Sequence, residues 1–200
     1  MANLQQVLDQ AASNQQAALE RLFQLLRIQS ISTDPAFAEH CVAAADWLVN
    51  DLNSMGIDAS RRDTPGHPMV VGHSQPVNEK PTLLFYGHYD VQPVDPLSLW
   101  DNDPFTPTLD SVGDTQVIRA RGAADDKGQL MTFIEACRSW IAVHGELPCE
   151  IGFLFEGEEE SGSPSLVPFL KQNAAELKAD LALVCDTGMW DESTPAICTM

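Results

Sequence analysis

The acidic run Glu156–Ser163 is the stretch of this chain most able to do chemistry. It reads Glu-Gly-Glu-Glu-Glu-Ser-Gly-Ser and directly follows the apolar segment 151–155, which predicts a buried strand. Carboxylates held close together repel, and each raises the pKa of the next unless a cation neutralises them. A solvated acidic loop is the ordinary interpretation of such a run. Three other strand ends weigh against that interpretation here.

Three further apolar segments also end on residues of the type that bind metals. These residues are His88 and Asp90 after Thr82–Tyr86, Asp125 after Val117–Ala120, and Asp186 after Asp180–Cys185. Ligands of an open α/β sheet lie beyond the carboxyl ends of its strands, so we expect these side chains to converge at one edge of one sheet. A bound metal would keep such carboxylates close together, ionised and partly dry. One imidazole among carboxylates suits zinc, with manganese or cobalt as substitutes, whereas calcium prefers more oxygens.

The elements that position these residues follow from the apolar pattern. Buried strands alternating with amphipathic helices predict an α/β fold, with a largely parallel or mixed sheet and helices on both faces. The predicted helices are Leu4–Ile28, Glu39–Met55, Lys127–His144 and Ser163–Ala175. The predicted strands are Ile57–Arg62, Met69–His73, Thr82–Tyr86, Val117–Ala120, Cys149–Phe155 and Asp180–Cys185, and Asp95–Asp114 is predicted to be loop.

Composition excludes several classes of partner. The net charge of −18 argues against nucleic acid and against an anionic membrane surface, because both require clustered Lys and Arg. The first residues carry neither a basic nor an apolar signal region, and no apolar run reaches the roughly 20 residues of a membrane span. The cysteines are scattered and form no Cys-x-x-Cys pair. We therefore expect reduced thiols in a cytoplasmic protein, the five being Cys41, Cys137, Cys149, Cys185 and Cys198.

Three blocks of this sequence carry a resemblance to a known family. Gly87–Pro93, Arg121–Gly128 and Glu158–Ser163 resemble, in order and spacing, the signature blocks of the dinuclear zinc peptidases. That family includes carnosinase-type dipeptidases, glutamate carboxypeptidase, aminoacylase and succinyl-diaminopimelate desuccinylase. The segment Trp100–Pro107 is similar to the one that these enzymes carry between the first two blocks. The tyrosine of His-Tyr-Asp and the form Glu-Glu-Ser-Gly-Ser favour the dipeptidase branch.

The resemblance implies a role for each site residue. His88 binds one metal ion and Asp90 orients it, Asp125 bridges both ions, Asp186 completes the first set of ligands, Glu160 binds the second ion, and Glu159 is the general base. Two zinc ions per complete site are implied, with manganese or cobalt possible. The chemistry of the residues alone leaves the base open among Glu158, Glu159 and Glu160. The resemblance also implies a cis peptide bond between Asp125 and Asp126, whereas Asp126 and Glu158 are expected to be solvated neighbours.

The implied reaction is hydrolysis of the amide bond of dipeptides or short peptides by a metal-bridging water. An N-acyl amino acid deacylase would use the same residues on an acyl amino acid, and a non-catalytic metal-binding relative is the alternative of another class. The presence of Glu159 argues against that last alternative. Family members run to about twice this length, so residues 1–200 are expected to form the N-terminal part of the catalytic domain. A second metal-binding His, and a lid domain through which a homodimer forms, would lie outside this chain, and the isolated chain is expected to be inactive.

Overall fold

A mixed five-stranded sheet forms the centre of the computed structural model, which describes residues 3–191 and 193–196. Its strands are β1 (Asp58–Arg62), β2 (Met69–His73), β3 (Thr82–His88), β6 (Glu150–Glu156) and β7 (Leu181–Val184), and a separate hairpin is made of β4 (Thr108–Val112) and β5 (Thr115–Arg119). The strand order in the large sheet is β1-β2-β6-β3-β7. β1 and β2 run antiparallel to their neighbours, while β6, β3 and β7 are parallel. The mixed sheet confirms the predicted fold class.

Helices cover both faces of this sheet, as predicted. The helices are α1 (Leu4–Ser13), α2 (Gln15–Leu26), α3 (Ala38–Asn53), α4 (Lys127–His144) and α5 (Leu166–Gln172). Successive strand residues point to opposite faces, and the core divides accordingly. Val70 packs into the main core with α2, α3 and α4. Its neighbours Met69 and Val71 pack instead with Phe169 of α5.

The helix α4 places one of the signature blocks at the sheet. Its bounds are those predicted, because its apolar stripe is regular and Gly145, at φ 78°, ends it by donating its N–H to the Ile141 carbonyl at 2.7 Å. Phe133 of this helix stacks on Phe85 of β3 with ring centroids 3.8 Å apart. The packing holds the start of α4, and the two aspartates before it, close to the end of β3. No described helix is long and apolar enough to cross a membrane.

Three predictions about the elements were wrong. The long first helix is two helices that meet at Asn14, a residue type with low helix propensity, although the apolar pattern continues. The predicted loop 95–114 contains β4, which pairs with β5 across a turn at Gly113. The strand before Arg121 therefore belongs to this hairpin and not to the main sheet. Asp125 consequently reaches the site from the turn that precedes α4.

Candidate metal centre

His88 lies at the centre of the site. It is the last residue of β3, it is fully buried, and it pairs with Glu156 on the neighbouring parallel strand. Its Nε2 faces three carboxylates, with Asp125 Oδ1 at 3.1 Å, Asp186 Oδ2 at 3.8 Å and Glu159 Oε2 at 4.0 Å. His88, Glu159 and Asp186 each offer a ligand atom, and these atoms lie within 4.8 Å of one another. The ends of β3, β6 and β7 thus meet at one point, as predicted for these three strands, whereas Asp125 arrives from the turn before α4.

Asp90 holds two parts of the site with one buried carboxylate. Its Oδ1 lies 3.3 Å from Nδ1 of His88, and its backbone carbonyl lies 3.1 Å from the same nitrogen. The carboxylate also accepts the backbone N–H groups of Glu159 at 3.2 Å and Glu160 at 3.0 Å. A carboxylate on the second nitrogen of an imidazole sets the tautomer and orientation of the ring. Asp90 is therefore placed to orient His88 and to fix the acidic turn at the same time.

The three adjacent glutamates occupy different environments. Glu158 is buried, and its two carboxylate oxygens accept the backbone N–H groups of His67 at 3.0 Å and Ser165 at 3.1 Å. The prediction of a solvated Glu158 was wrong, because these donors replace water. Glu160 is held by Gln92, whose side-chain amide donates to Oε2 at 2.7 Å, and it lies outside the three-residue cluster. Glu159 is the one whose carboxylate faces His88.

The two aspartates before α4 also differ. The peptide bond between them is cis, which confirms the implication of the resemblance. The Asp125 side chain is 61% exposed and approaches His88 from the open side, but it is not a member of the three-residue cluster. Asp126 is fully buried, and its Oδ2 accepts the backbone N–H of His88 at 3.1 Å. Its predicted solvation was wrong, and burial raises the pKa of Asp126 to about 7, which the hydrogen bond from His88 only partly offsets.

The clustered carboxylates give the site an excess of negative charge, which shifts the pKa values of its residues. Burial alone would lower the pKa of His88, but the hydrogen bond to Asp90 and the surrounding carboxylates outweigh it and raise that pKa to about 10. Burial, foremost, also raises the pKa of Glu159 and of Glu160. A divalent cation would relieve this excess of negative charge. One imidazole nitrogen with several carboxylate oxygens fits zinc, manganese or cobalt.

Sequence reasoning assigned no role to two residues that the structure places close to the site. Gln92 holds Glu160, and its position inside the first signature block was the available signal. Lys127 is fully buried, and its Nζ donates to the carbonyls of Leu25 at 3.1 Å and Ile28 at 2.7 Å. Burial lowers the pKa of Lys127 to about 7. Its position inside the second signature block was the available signal, but its burial was not expected, because a lysine in the first turn of a helix is almost always exposed.

The fold and the cluster together define an α/β domain with a candidate metal centre at the carboxyl ends of its strands. Residues 84–198 match the family described as Peptidase family M20/M25/M40, and the chain belongs to this family. The family assignment confirms the resemblance drawn from the three sequence blocks, and its members are metallopeptidases that typically use zinc.

Known proteins similar to this chain include dipeptidases. The Cys-Gly metallodipeptidase dug1 of Schizosaccharomyces pombe is 33% identical over 84% of this chain and 37% of its own length. The structure of the di-peptidase Dug1p from Saccharomyces cerevisiae superposes with a TM-score of 0.84 at 26% identity, over 94% of this chain and 42% of that one. Human carnosine dipeptidase 1 also gives a TM-score of 0.84 at 26% identity, over 95% and 42%. The chain thus spans about two fifths of the length of these relatives.

Proposed function

We propose that this chain supplies the metal-binding part of an enzyme that hydrolyses the amide bond of dipeptides or short peptides. The observation that carries the proposal is the meeting of His88, Glu159 and Asp186 within 4.8 Å, with Asp125 Oδ1 3.1 Å from the same imidazole. The names of the relatives support dipeptides as the substrate class, since two of them are called dipeptidases and one a metallodipeptidase.

The proposed ligands divide between two ions. His88, Asp125 and Asp186 would hold one ion, and Asp125 with Glu160 would contribute to the other. Bound zinc ions would polarise the scissile carbonyl and lower the pKa of the attacking water. Manganese or cobalt would supply the same chemistry. Asp90 would keep His88 in one tautomer through the contact at Nδ1.

Glu159 is the proposed general base among the three glutamates. Glu158 is unsuited because both of its carboxylate oxygens accept backbone N–H groups in a buried position. Glu160 is held by Gln92. The Glu159 carboxylate faces His88 of the cluster. Its pKa is raised, and a general base is most effective when its pKa lies near the working pH. It would take a proton from the attacking water and pass it to the leaving amine.

The wider setting of this site is part of the same proposal. Residues 1–200 would be the N-terminal part of a catalytic domain, and the span of about two fifths of the relatives' length supports this. A second metal-binding His and a dimerising lid domain would come from the rest of the protein. The described cysteines Cys41, Cys137, Cys149 and Cys185 are free thiols, which supports a cytoplasmic location, and Cys198 lies outside the described residues.

The decisive experiment uses the full-length protein and its Glu159→Gln variant. Turnover is measured on Cys-Gly, β-Ala-His and a set of N-acyl amino acids, and bound metal is counted by mass spectrometry. We expect Glu159→Gln to keep both metal ions and to lose at least about 10²-fold in kcat on dipeptides, the low end for removal of a general base. Glu39→Gln is the matched control, because Glu39 is exposed on α3.

Each other result would redirect the proposal. A near-normal rate for Glu159→Gln would show that another group is the base. Turnover of N-acyl amino acids without turnover of dipeptides would favour the deacylase. A full complement of metal without any hydrolysis would favour the non-catalytic metal-binding relative.

A further inference from the structure

Lys127 makes a directed contact that crosses from one helix to another. It is the first residue of α4, it has 0% exposure, and its ammonium group donates to the backbone carbonyls of Leu25 at 3.1 Å and Ile28 at 2.7 Å. The Leu25 carbonyl lies in the last turn of α2 and the Ile28 carbonyl just beyond it, where the helix dipole is negative. Both carbonyls also accept a backbone N–H group, from Ile28 and Ser30 respectively. A buried ammonium group is tolerated only with such acceptors. The contact therefore ties the start of α4 to the end of α2.

The chain that follows α2 is also tied to the end of β3. We call residues 25–31 the link segment. The hydroxyl of its buried Ser30 donates to the carbonyl of Tyr89 at 2.7 Å, and the backbone carbonyl of Ser30 accepts the backbone N–H of Val91 at 2.9 Å. Ile31 forms an isolated parallel bridge with Val91. Tyr89 and Val91 flank Asp90, so the link segment holds the strand end that carries His88.

The two parts of the site held by the link segment also pack against each other. A methyl group added at Gly122 would lie 2.8 Å from Cγ1 of Val91 and 3.3 Å from Cδ of Lys127. The aliphatic stem of Lys127 and the side chain of Val91 therefore line the same glycine. Such close packing leaves little freedom for one turn to shift without the other.

We propose that Lys127 is a positioning residue that, through the link segment, sets the spacing between Asp125 and His88. Only the expected effect of Lys127 on turnover rests on the proposed function. Asp125 lies two residues before Lys127, and its Oδ1 lies 3.1 Å from Nε2 of His88. Removal of the ammonium group takes away the only polar contact between the link segment and α4 among the described residues, and leaves the segment joined to the strand end at Ser30 and Ile31. The two proposed ligands then lose their common support.

The test uses full-length protein with Lys127→Met, Ser30→Ala and the double variant. The matched control is Lys171→Met, since Lys171 is exposed on α5. We expect Lys127→Met to speed hydrogen exchange of the Val91 amide at least about tenfold and to change the visible spectrum of the cobalt-loaded protein. We expect kcat to fall by about 10- to 100-fold, the usual effect of losing support to a metal ligand, with KM changed less than about threefold. Ser30→Ala should change the same readouts less, and the double variant should deviate from additivity.

Two results would overturn the proposal. The first is a folded Lys127→Met protein whose Val91 exchange and cobalt spectrum equal those of Lys171→Met. The second result applies if Lys127→Met does not fold. In that case Ser30→Ala decides: unchanged Val91 exchange and an unchanged cobalt spectrum overturn the proposal, and a change in both supports it. Should the wild-type protein hydrolyse no dipeptide, the proposed function fails. Exchange at Val91 still decides the proposal about Lys127 in that case.

Discussion

The two sides of the candidate metal centre are built differently. On one side, the neighbouring strands β3 and β6 lie inside the sheet, and the residues at their ends are fixed by buried and partly buried hydrogen bonds around His88 and Asp90. On the other side, Asp186 follows β7, which pairs with β3 alone among the described residues. Leu181 and Val184 of β7 are 60% and 53% exposed, and the Asp186 side chain is 30% exposed.

This difference indicates how preorganisation is distributed in the site. The β3–β6 side is supported by backbone donors and by the buried Asp90 carboxylate, so the chain itself fixes much of its geometry. The β7 side has fewer contacts within the described chain, so its geometry has less support. We therefore expect substitutions at the end of β3 or β6 to cost more than comparable substitutions at the end of β7.

The largest expected effect concerns residues 1–200 expressed alone. This chain offers three proposed ligands to the His88 ion and two to its neighbour, with Asp125 shared. A site short of a ligand binds its ion weakly, and its carboxylates then repel one another or take up protons. We expect no detectable dipeptide hydrolysis, and calorimetric titration with zinc should find at most one tight site. Two tight sites, or hydrolysis by this chain, would show that the ligand assignment is wrong.

The next effect tests the β3–β6 side through Asp90→Asn in the full-length protein. An amide accepts at only one of its two positions, so the variant cannot accept the N–H groups of both Glu159 and Glu160 while also holding His88. We expect a loss of about 10- to 100-fold in zinc affinity or in kcat. Asp63→Asn, at an exposed side chain, is the control. Wild-type zinc affinity and kcat for Asp90→Asn would contradict the role given to this carboxylate.

Substitution of one glycine on each side compares the two sides through the free energy of unfolding alone. Gly157 follows β6, and a methyl group added there would overlap the ring and hydroxyl of the buried Tyr89. Gly188 follows β7, and the space around it is open. We expect Gly157→Ala to lower the free energy of unfolding by about 1–3 kcal/mol, the usual cost of overpacking. Gly188→Ala should change it by less than about 0.5 kcal/mol. Equal effects in urea denaturation would remove the contrast between the two sides.

Sequence alone predicted the parts of this molecule that depend on local pattern. Spacing within short segments predicts the apolar stripe of α4 and its end at Gly145. It also predicts the strands β3 and β6, and the positions of His88 and Asp186 at strand ends. The burial of Glu158 did not, because its donors are His67, 91 residues away, and Ser165, whose position depends on how the turn folds. The tie from Lys127 to Leu25 spans 102 residues and was invisible for the same reason.

The smallest expected effect concerns the outer edge of β7. Leu181→Ser removes a side chain that is 60% exposed, so in residues 1–200 it should change the free energy of unfolding by less than about 0.5 kcal/mol. In the full-length protein we expect a larger cost of about 1–2 kcal/mol, because the proposed remainder of the catalytic domain would bury part of this leucine. Leu25→Ala, in the fully buried core, is the reference and should be strongly destabilising in both forms. The same small cost for Leu181→Ser in both forms would mean that nothing packs on this edge, and the proposed division of the catalytic domain would then have to place its contact elsewhere.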